Sequence, residues 1–209
     1  MPDNFSKVVM VQAVLLVFQI IMYFGCEYFQ SGFHDVKRGI DDKIPFVEWS
    51  VLVYVLWFPL IALFPIALFY VNEEYYVFYI TAMFMEVVLS VICYMIYPTT
   101  FKRPKPSDKL SGKLMAIVFK GSYRGVNCAP SLHCSSCYLI IFTALMAMHN
   151  VTGIISIIVA VAIVISTMTT KQHTVIDVLS AIPMFVVCAF IGKFFPFEFV
   201  LGFFVLRSY

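Results

Sequence analysis

At 209 residues, 62% of them hydrophobic and 12% charged, the chain carries about half the charge of an ordinary soluble domain, which excludes a water-soluble globule and points to an integral membrane protein. A net charge of +2 is uninformative by itself, the distribution of charge mattering more, and no nucleic-acid partner is expected. The six cysteines are scattered through apolar segments rather than spaced as a secreted disulfide framework.

Apolar runs of about twenty residues, the length that spans a bilayer, fall near 8–26, 51–71, 75–97, 131–149, 151–169 and 175–193. They predict an all-α fold, a six-transmembrane-helix bundle forming one membrane domain over 1–209. The first run follows Lys7 like a signal peptide but lacks a small-x-small cleavage site, so it reads as a retained span. Trp49, Trp57, Tyr75, Tyr76 and Tyr97 sit at run ends, where aromatic belts are expected. Pro59 and Pro65 should kink the second span, with neighbouring helices covering the freed carbonyls. The Phe-rich stretch 194–206 continues the last helix or lies in the interface.

Two polar segments are long, 27–50 and 98–130. Within the second, Leu110, Leu114, Ile117 and Val118 alternate with Lys109, Lys113 and Lys120, a pattern that suits a helix on the membrane surface, although a plain connecting loop fits nearly as well. Residues 72–74 and the region of 150 read as tight turns. Six spans place alternate connections on opposite sides, so 27–50, 98–130 and 170–174 share one face. Arg103, Ser131, His133, Lys171 and His173 converge there.

Polar side chains are costly in a bilayer and mark functional positions. Pro130-Ser131-Leu132-His133 opens the fourth span, and the free N–H groups of a helix start bind phosphate oxygens. Ser131 adds a hydroxyl to that start, or simply caps the helix. Arg103-Pro104 offers a planar fork that matches phosphate; with Lys102 and Lys105 it also reads as a basic cluster for anionic headgroups. His173 and Asp177 stand i, i+4 on one helix face. A carboxylate there fixes the imidazole tautomer and frees the other nitrogen to attack phosphorus; the bland alternative is a polar pair joining helices.

In order and layout these residues resemble the type 2 phosphatidic acid phosphatase superfamily, which includes lipid phosphate phosphatases and haloperoxidases. The family pattern K-x6-R-P, P-S-G-H and S-R-x5-H-x3-D is met by Ile96-x6-Arg103-Pro104, then Pro130-Ser131-Leu132-His133, then Ser166-Thr167-x5-His173-x3-Asp177. The stretches 126–133 and 171–173 look like a bacterial branch of it. The resemblance implies a metal-independent lipid phosphatase without cofactor, acting on a lipid phosphate or pyrophosphate through a phosphohistidine. His173 would be the nucleophile, Asp177 its orienter and His133 the general acid. Arg103, Ser131 and the helix start at Leu132 would hold the phosphoryl oxygens; Lys102 or Lys105 would stand in for the cation missing at Ile96, and Lys171 for that missing at Thr167. The family's cations are replaced at Ile96 and Thr167, and its Gly at Leu132. The cradle is altered, and transfer to a lipid hydroxyl, as in the related sphingolipid synthases, is the alternative to hydrolysis.

Other readings compete. Cys134-x-x-Cys137 at a helix start can be a redox pair, and with Cys128 and His133 it can ligate zinc; small cysteines at helix contacts are the ordinary explanation. A non-catalytic membrane binding protein is a further alternative. Glu86 lies midway along the third span, where it would be protonated and bonded to a Ser or Thr. His34 and His149 read as interfacial. Ser166, Thr167, Thr169 and Thr170 either line the pocket or bond helix carbonyls.

The resemblance implies an external site in a bacterial cell membrane. The charges oppose it: Lys37, Arg38, Lys43, Lys102, Arg103, Lys105, Lys109, Lys113, Lys120, Arg124 and Lys171 lie on the site face, against Lys7, Lys193 and Arg207 on the other. The positive-inside rule would turn that face to the cytoplasm. The external orientation is kept as the expectation.

Overall fold

The computed structural model describes residues 2–122 and 124–196. The chain is mainly helical: α1 (Pro2–Cys26), α2 (Val51–Tyr54), α3 (Trp57–Val71), α4 (Glu73–Ile96), α5 (Leu110–Gly121), α6 (Leu132–Ala147), α7 (Val151–Thr169) and α8 (Val175–Phe194). Among the described residues, five helical segments are long and apolar enough to cross a membrane: Phe5–Phe29, Glu48–Val71, Glu73–Ile96, Val151–Thr169 and Val175–Phe194. The run expected as a span over 131–149 differs. Its helix α6 has 16 residues, about 24 Å at 1.5 Å per residue, short of a hydrocarbon core of about 30 Å. It packs against α3, α4, α7 and α8, so much of its surface meets protein. Of the Phe-rich end, positions from 197 lie outside the described residues.

Local chemistry sets the helix ends. The Asn72 side chain accepts the Tyr75 N–H at 3.0 Å, with Glu73 and Glu74 in the first turn of α4 complementing its dipole. Asn150 accepts the Gly153 N–H at 2.9 Å to start α7. Thr174 and Asp177 close a reciprocal capping box at α8. The tight turns expected around 72–74 and 150 are these caps.

The second span is broken where proline requires it. Pro59 has no N–H and its ring would meet the Val55 carbonyl, so α2 ends at Tyr54 and Pro59 falls in the first turn of α3. Pro65 sits inside α3 and frees the Ile61 carbonyl, which accepts the Gln12 side-chain N–H of α1 at 2.8 Å. A continuous apolar core joins α1, α3, α4, α6, α7 and α8 through Val8, Ile61, Tyr79, Leu139, Ala160 and Cys188.

The two long polar segments are tied together at one end of the bundle. Strand β1 (His34–Asp35) pairs in parallel with β2 (Thr99–Thr100), and Thr100 bridges Val126. Helix α5 is the helix expected within 98–130. It buries Ser111, Gly112 and Met115 and exposes Leu110 and Ile117 beside Lys113 and Lys120. Its start is fixed by Glu48, which accepts from the Ser107 N–H and from the hydroxyls of Ser107 and Ser111.

Two of the expected belt aromatics are buried instead. Trp57 and Tyr76 are enclosed in the core, whereas Trp49 and Tyr97 are exposed. Run ends locate a residue along the helix axis; which way its side chain turns depends on neighbours that the sequence does not name.

Candidate active site

His173 follows the reversal between α7 and α8. Lys171 adopts φ +53°, the left-handed conformation that ends a helix. The N–H groups of Gln172 and His173 then both donate to the Thr167 carbonyl at 3.0 Å. This turn buries the His173 ring.

The His173 Nδ1 faces two acceptors. It lies 3.1 Å from the Cys128 carbonyl and 3.4 Å from Asp177 Oδ2. The carbonyl and the carboxylate both accept, so in the neutral ring the proton sits on Nδ1 and the lone pair on Nε2. Asp177 is fully buried; the same Oδ2 accepts the Thr174 N–H at 2.7 Å. Its carboxylate thus caps α8 and faces the imidazole at once. The carbonyl of Cys128 is a second orienting group, which sequence spacing does not point to. It is placed by Thr99, whose Oγ1 accepts the N–H groups of Cys128 and Ala129 at 3.1 and 2.9 Å.

His133 stands in the first turn of α6, its ring centroid 5.5 Å from that of His173. Its Nε2 is 2.9 Å from the Tyr54 hydroxyl, and its ring packs on Trp57 with centroids 4.1 Å apart. Trp57 is fixed in turn by donating Nε1–H to Ser136 Oγ at 2.8 Å. Tyr54 and Trp57 carry no motif, and nothing in their local spacing marks either as part of the site.

A pocket of about 430 Å³ is lined by Lys37, Asp41, Lys102, Arg103, Lys171 and His173, among others. This is where four of the expected residues meet. Leu132 and His133 line a different pocket, of about 270 Å³, whose walls are largely apolar and come from Tyr54, Trp57, Phe58 and the α1 residues Ile20, Tyr23 and Phe24. The two histidines therefore stand between a cationic space and a greasy one.

Within the cationic pocket the donors are unequally free. Arg103 Nη1 donates to the carbonyl and hydroxyl of Ser122 at 2.9 and 3.0 Å, and its guanidinium lies over Phe119. Lys171 Nζ donates to the carbonyls of Asp41 and Ile44 at 2.7 and 2.6 Å; burial lowers its pKa and the nearby Asp41 opposes that. Asp41 Oδ1 also accepts the Val175 N–H at 2.8 Å. Loop 41–44 is thereby clamped to the histidine turn. Ser131 is fully buried and its hydroxyl accepts the Cys134 N–H at 3.2 Å, so it acts as a helix cap. Its own N–H is taken by the Asp177 carbonyl at 3.1 Å.

None of the hydroxyls near the end of α7 lines the cationic pocket: Ser166 donates to the Ile163 carbonyl, Thr167 to that of Val164 and Thr170 to that of Ser166, while Thr169 donates to the Ser50 hydroxyl at 2.8 Å. Cys134 and Cys137 are free thiols with no exposure, out of reach of an exchanging partner. Glu86 is fully enclosed, and the hydroxyl that faces its carboxyl group is that of Ser135 on α6, a partner of the expected kind. His34 is exposed and stacked on Tyr97.

A scan against protein-family profiles, a search of curated proteins and a search of solved structures each found no match to this chain.

Proposed function

We propose that this chain is a membrane phosphohydrolase of the type 2 phosphatidic acid phosphatase kind, removing phosphate from a lipid phosphate or pyrophosphate through a phosphohistidine. The observation that carries the reading is His173. Its Nδ1–H is held by Cys128 and Asp177, its Nε2 is available, and its ring borders a pocket with Arg103, Lys102 and Lys171. In the proposed reaction Nε2 attacks phosphorus, a P–N bond forms and the P–O bond to the lipid breaks. His133 protonates the departing oxygen. Water then attacks the phosphohistidine, the P–N bond breaks, and His133 takes the water's proton. The charge developing on the phosphoryl oxygens is met by cationic donors, so the reading requires no metal or cofactor.

In the same proposal α6 is counted as a sixth crossing, so both ends of the bundle lie on one side and the histidines on the other, with the site on the external face of the membrane. A second reading is favoured by one observation, the apolar pocket beside His133. A lipid hydroxyl lodged there would take the phosphoryl group in place of water, making the chain a phosphotransferase.

The test is turnover by purified protein in detergent with phosphatidic acid, phosphatidylglycerol phosphate or isoprenyl pyrophosphate, each in excess chelator. Phosphate release that survives chelation and vanishes in His173→Ala supports the hydrolase. Headgroup exchange onto an added lipid alcohol, without phosphate release, supports the transferase. Inactivity on all substrates in both assays would refute both.

A further inference from the structure

Two enclosed side-chain nitrogens among the described residues lack a hydrogen-bond partner, Arg103 Nε and Gln172 Nε2. Both belong to side chains that meet at one atom. Arg103 Nη1 donates to Ser122 Oγ at 3.0 Å, and Gln172 Oε1 is 3.4 Å from the same hydroxyl. Gln172 is 3% exposed, so its amide has no water to turn to. A buried donor left unpaired carries its full desolvation cost, so two such donors, on side chains that both touch Ser122, are open to an incoming acceptor.

The backbone explains why Gln172 faces inward. With Lys171 at φ +53°, the turn sends that side chain out to the carbonyls of Asp41 and Ile44, while its neighbour enters the interior. The lysine is the cation that the sequence singles out, yet its ammonium is already occupied. The residue after Gln172 is His173, whose ring lines the pocket that Arg103 also lines.

We infer that Gln172 is a substrate-binding residue, its Nε2–H and the Arg103 Nε–H forming a seat for one oxygen of a tetrahedral oxyanion, with Ser122 holding both side chains in place. The ligand class is a phosphoryl group or its mimic, and the inference rests on the phosphate-handling reading of the same site. An amide suits this place: it donates without adding a second buried charge beside Arg103, and its carbonyl end faces the Ser122 hydroxyl, whose hydrogen it shares with the Val118 carbonyl.

The test is orthovanadate binding by the full chain in detergent, measured calorimetrically alongside phosphatase turnover. Gln172→Leu should weaken vanadate by about ten- to a hundredfold, the range of one hydrogen bond to a charged group. Gln172→Glu, of nearly the same size, should weaken it further by placing a carboxylate against the anion. A vanadate-bound structure of the unmodified chain should place an oxygen about 3 Å from Gln172 Nε2, which tests the seat even where a variant fails to fold. Unchanged vanadate affinity in both variants, or a bound vanadate distant from Gln172, overturns this assignment and leaves the phosphatase reading standing. A wild-type chain that neither binds vanadate nor releases phosphate overturns both.

Discussion

The Tyr54 hydroxyl lies 2.9 Å from Nε2 of His133, and Tyr54 comes from a four-residue helix that exists because Pro59 interrupts the second span. A break in one helix thus delivers a partner to an imidazole in another. If His133 protonates a departing lipid oxygen, its proton inventory runs through this contact. Tyr54→Phe should slow turnover of a lipid phosphate by roughly tenfold and affect an activated aryl phosphate less, since a good leaving group needs little acid assistance. Comparing kcat for the two substrates checks this; equal losses would point to a packing role for the ring.

Asp177 and Cys128 share the orientation of His173. Asp177→Asn keeps an oxygen for the Thr174 N–H and should leave the helix content unchanged by circular dichroism. It removes the carboxylate that supports charge on the ring, with an expected loss on the order of 10²- to 10⁴-fold in kcat. The Cys128 carbonyl still accepts Nδ1–H in the variant, which favours the lower end of that range. Retention of full activity would mean that the carbonyl alone sets the tautomer.

Lys171 is expected to act through structure. Its ammonium joins the carbonyls of Asp41 and Ile44, so Lys171→Ala leaves both to partial solvent and loosens one wall of the pocket. Thermal unfolding should register a loss of about 1 kcal/mol, with vanadate affinity less affected than in Gln172→Leu. A selective loss of vanadate binding at unchanged stability would instead return Lys171 to the phosphate.

Gln12 tests the bundle away from the site. Gln12→Leu leaves the Ile61 carbonyl unpaired in an apolar setting, a cost of roughly 1–3 kcal/mol. In a Pro65→Ala background residue 65 regains an N–H for that carbonyl, so the same substitution should cost much less. A double-mutant cycle on unfolding midpoints measures the difference, and additive effects would disprove the coupling.

Helix positions and the candidate histidines were legible in the sequence because each rests on short-range rules. Apolar run length locates the membrane-length helices, the turns at 72–74 and 150 divide them, and the i, i+4 spacing of His173 and Asp177 places them on one face whatever surrounds them. The clustering of Arg103, His133 and His173 followed from alternating connections alone. The fourth run was legible as a helix, but its length depended on where Ser131 caps it and how the polar segment enters the bundle.

Tertiary structure decided which atoms are free. Lys171 and Gln172 are adjacent and both polar; a single left-handed residue turns one outward to backbone carbonyls and the other inward to Ser122. Trp57 and Trp49 look alike at the end of a run, yet one is buried against His133 and the other exposed. Cys128 reaches His173 through a carbonyl that every residue possesses. Hydrogen bonds are filled by whichever group folding brings within about 3 Å, and groups 45 or 130 positions apart in the chain, as in His173 with Cys128 and Lys171 with Asp41, leave no trace of that meeting in local spacing.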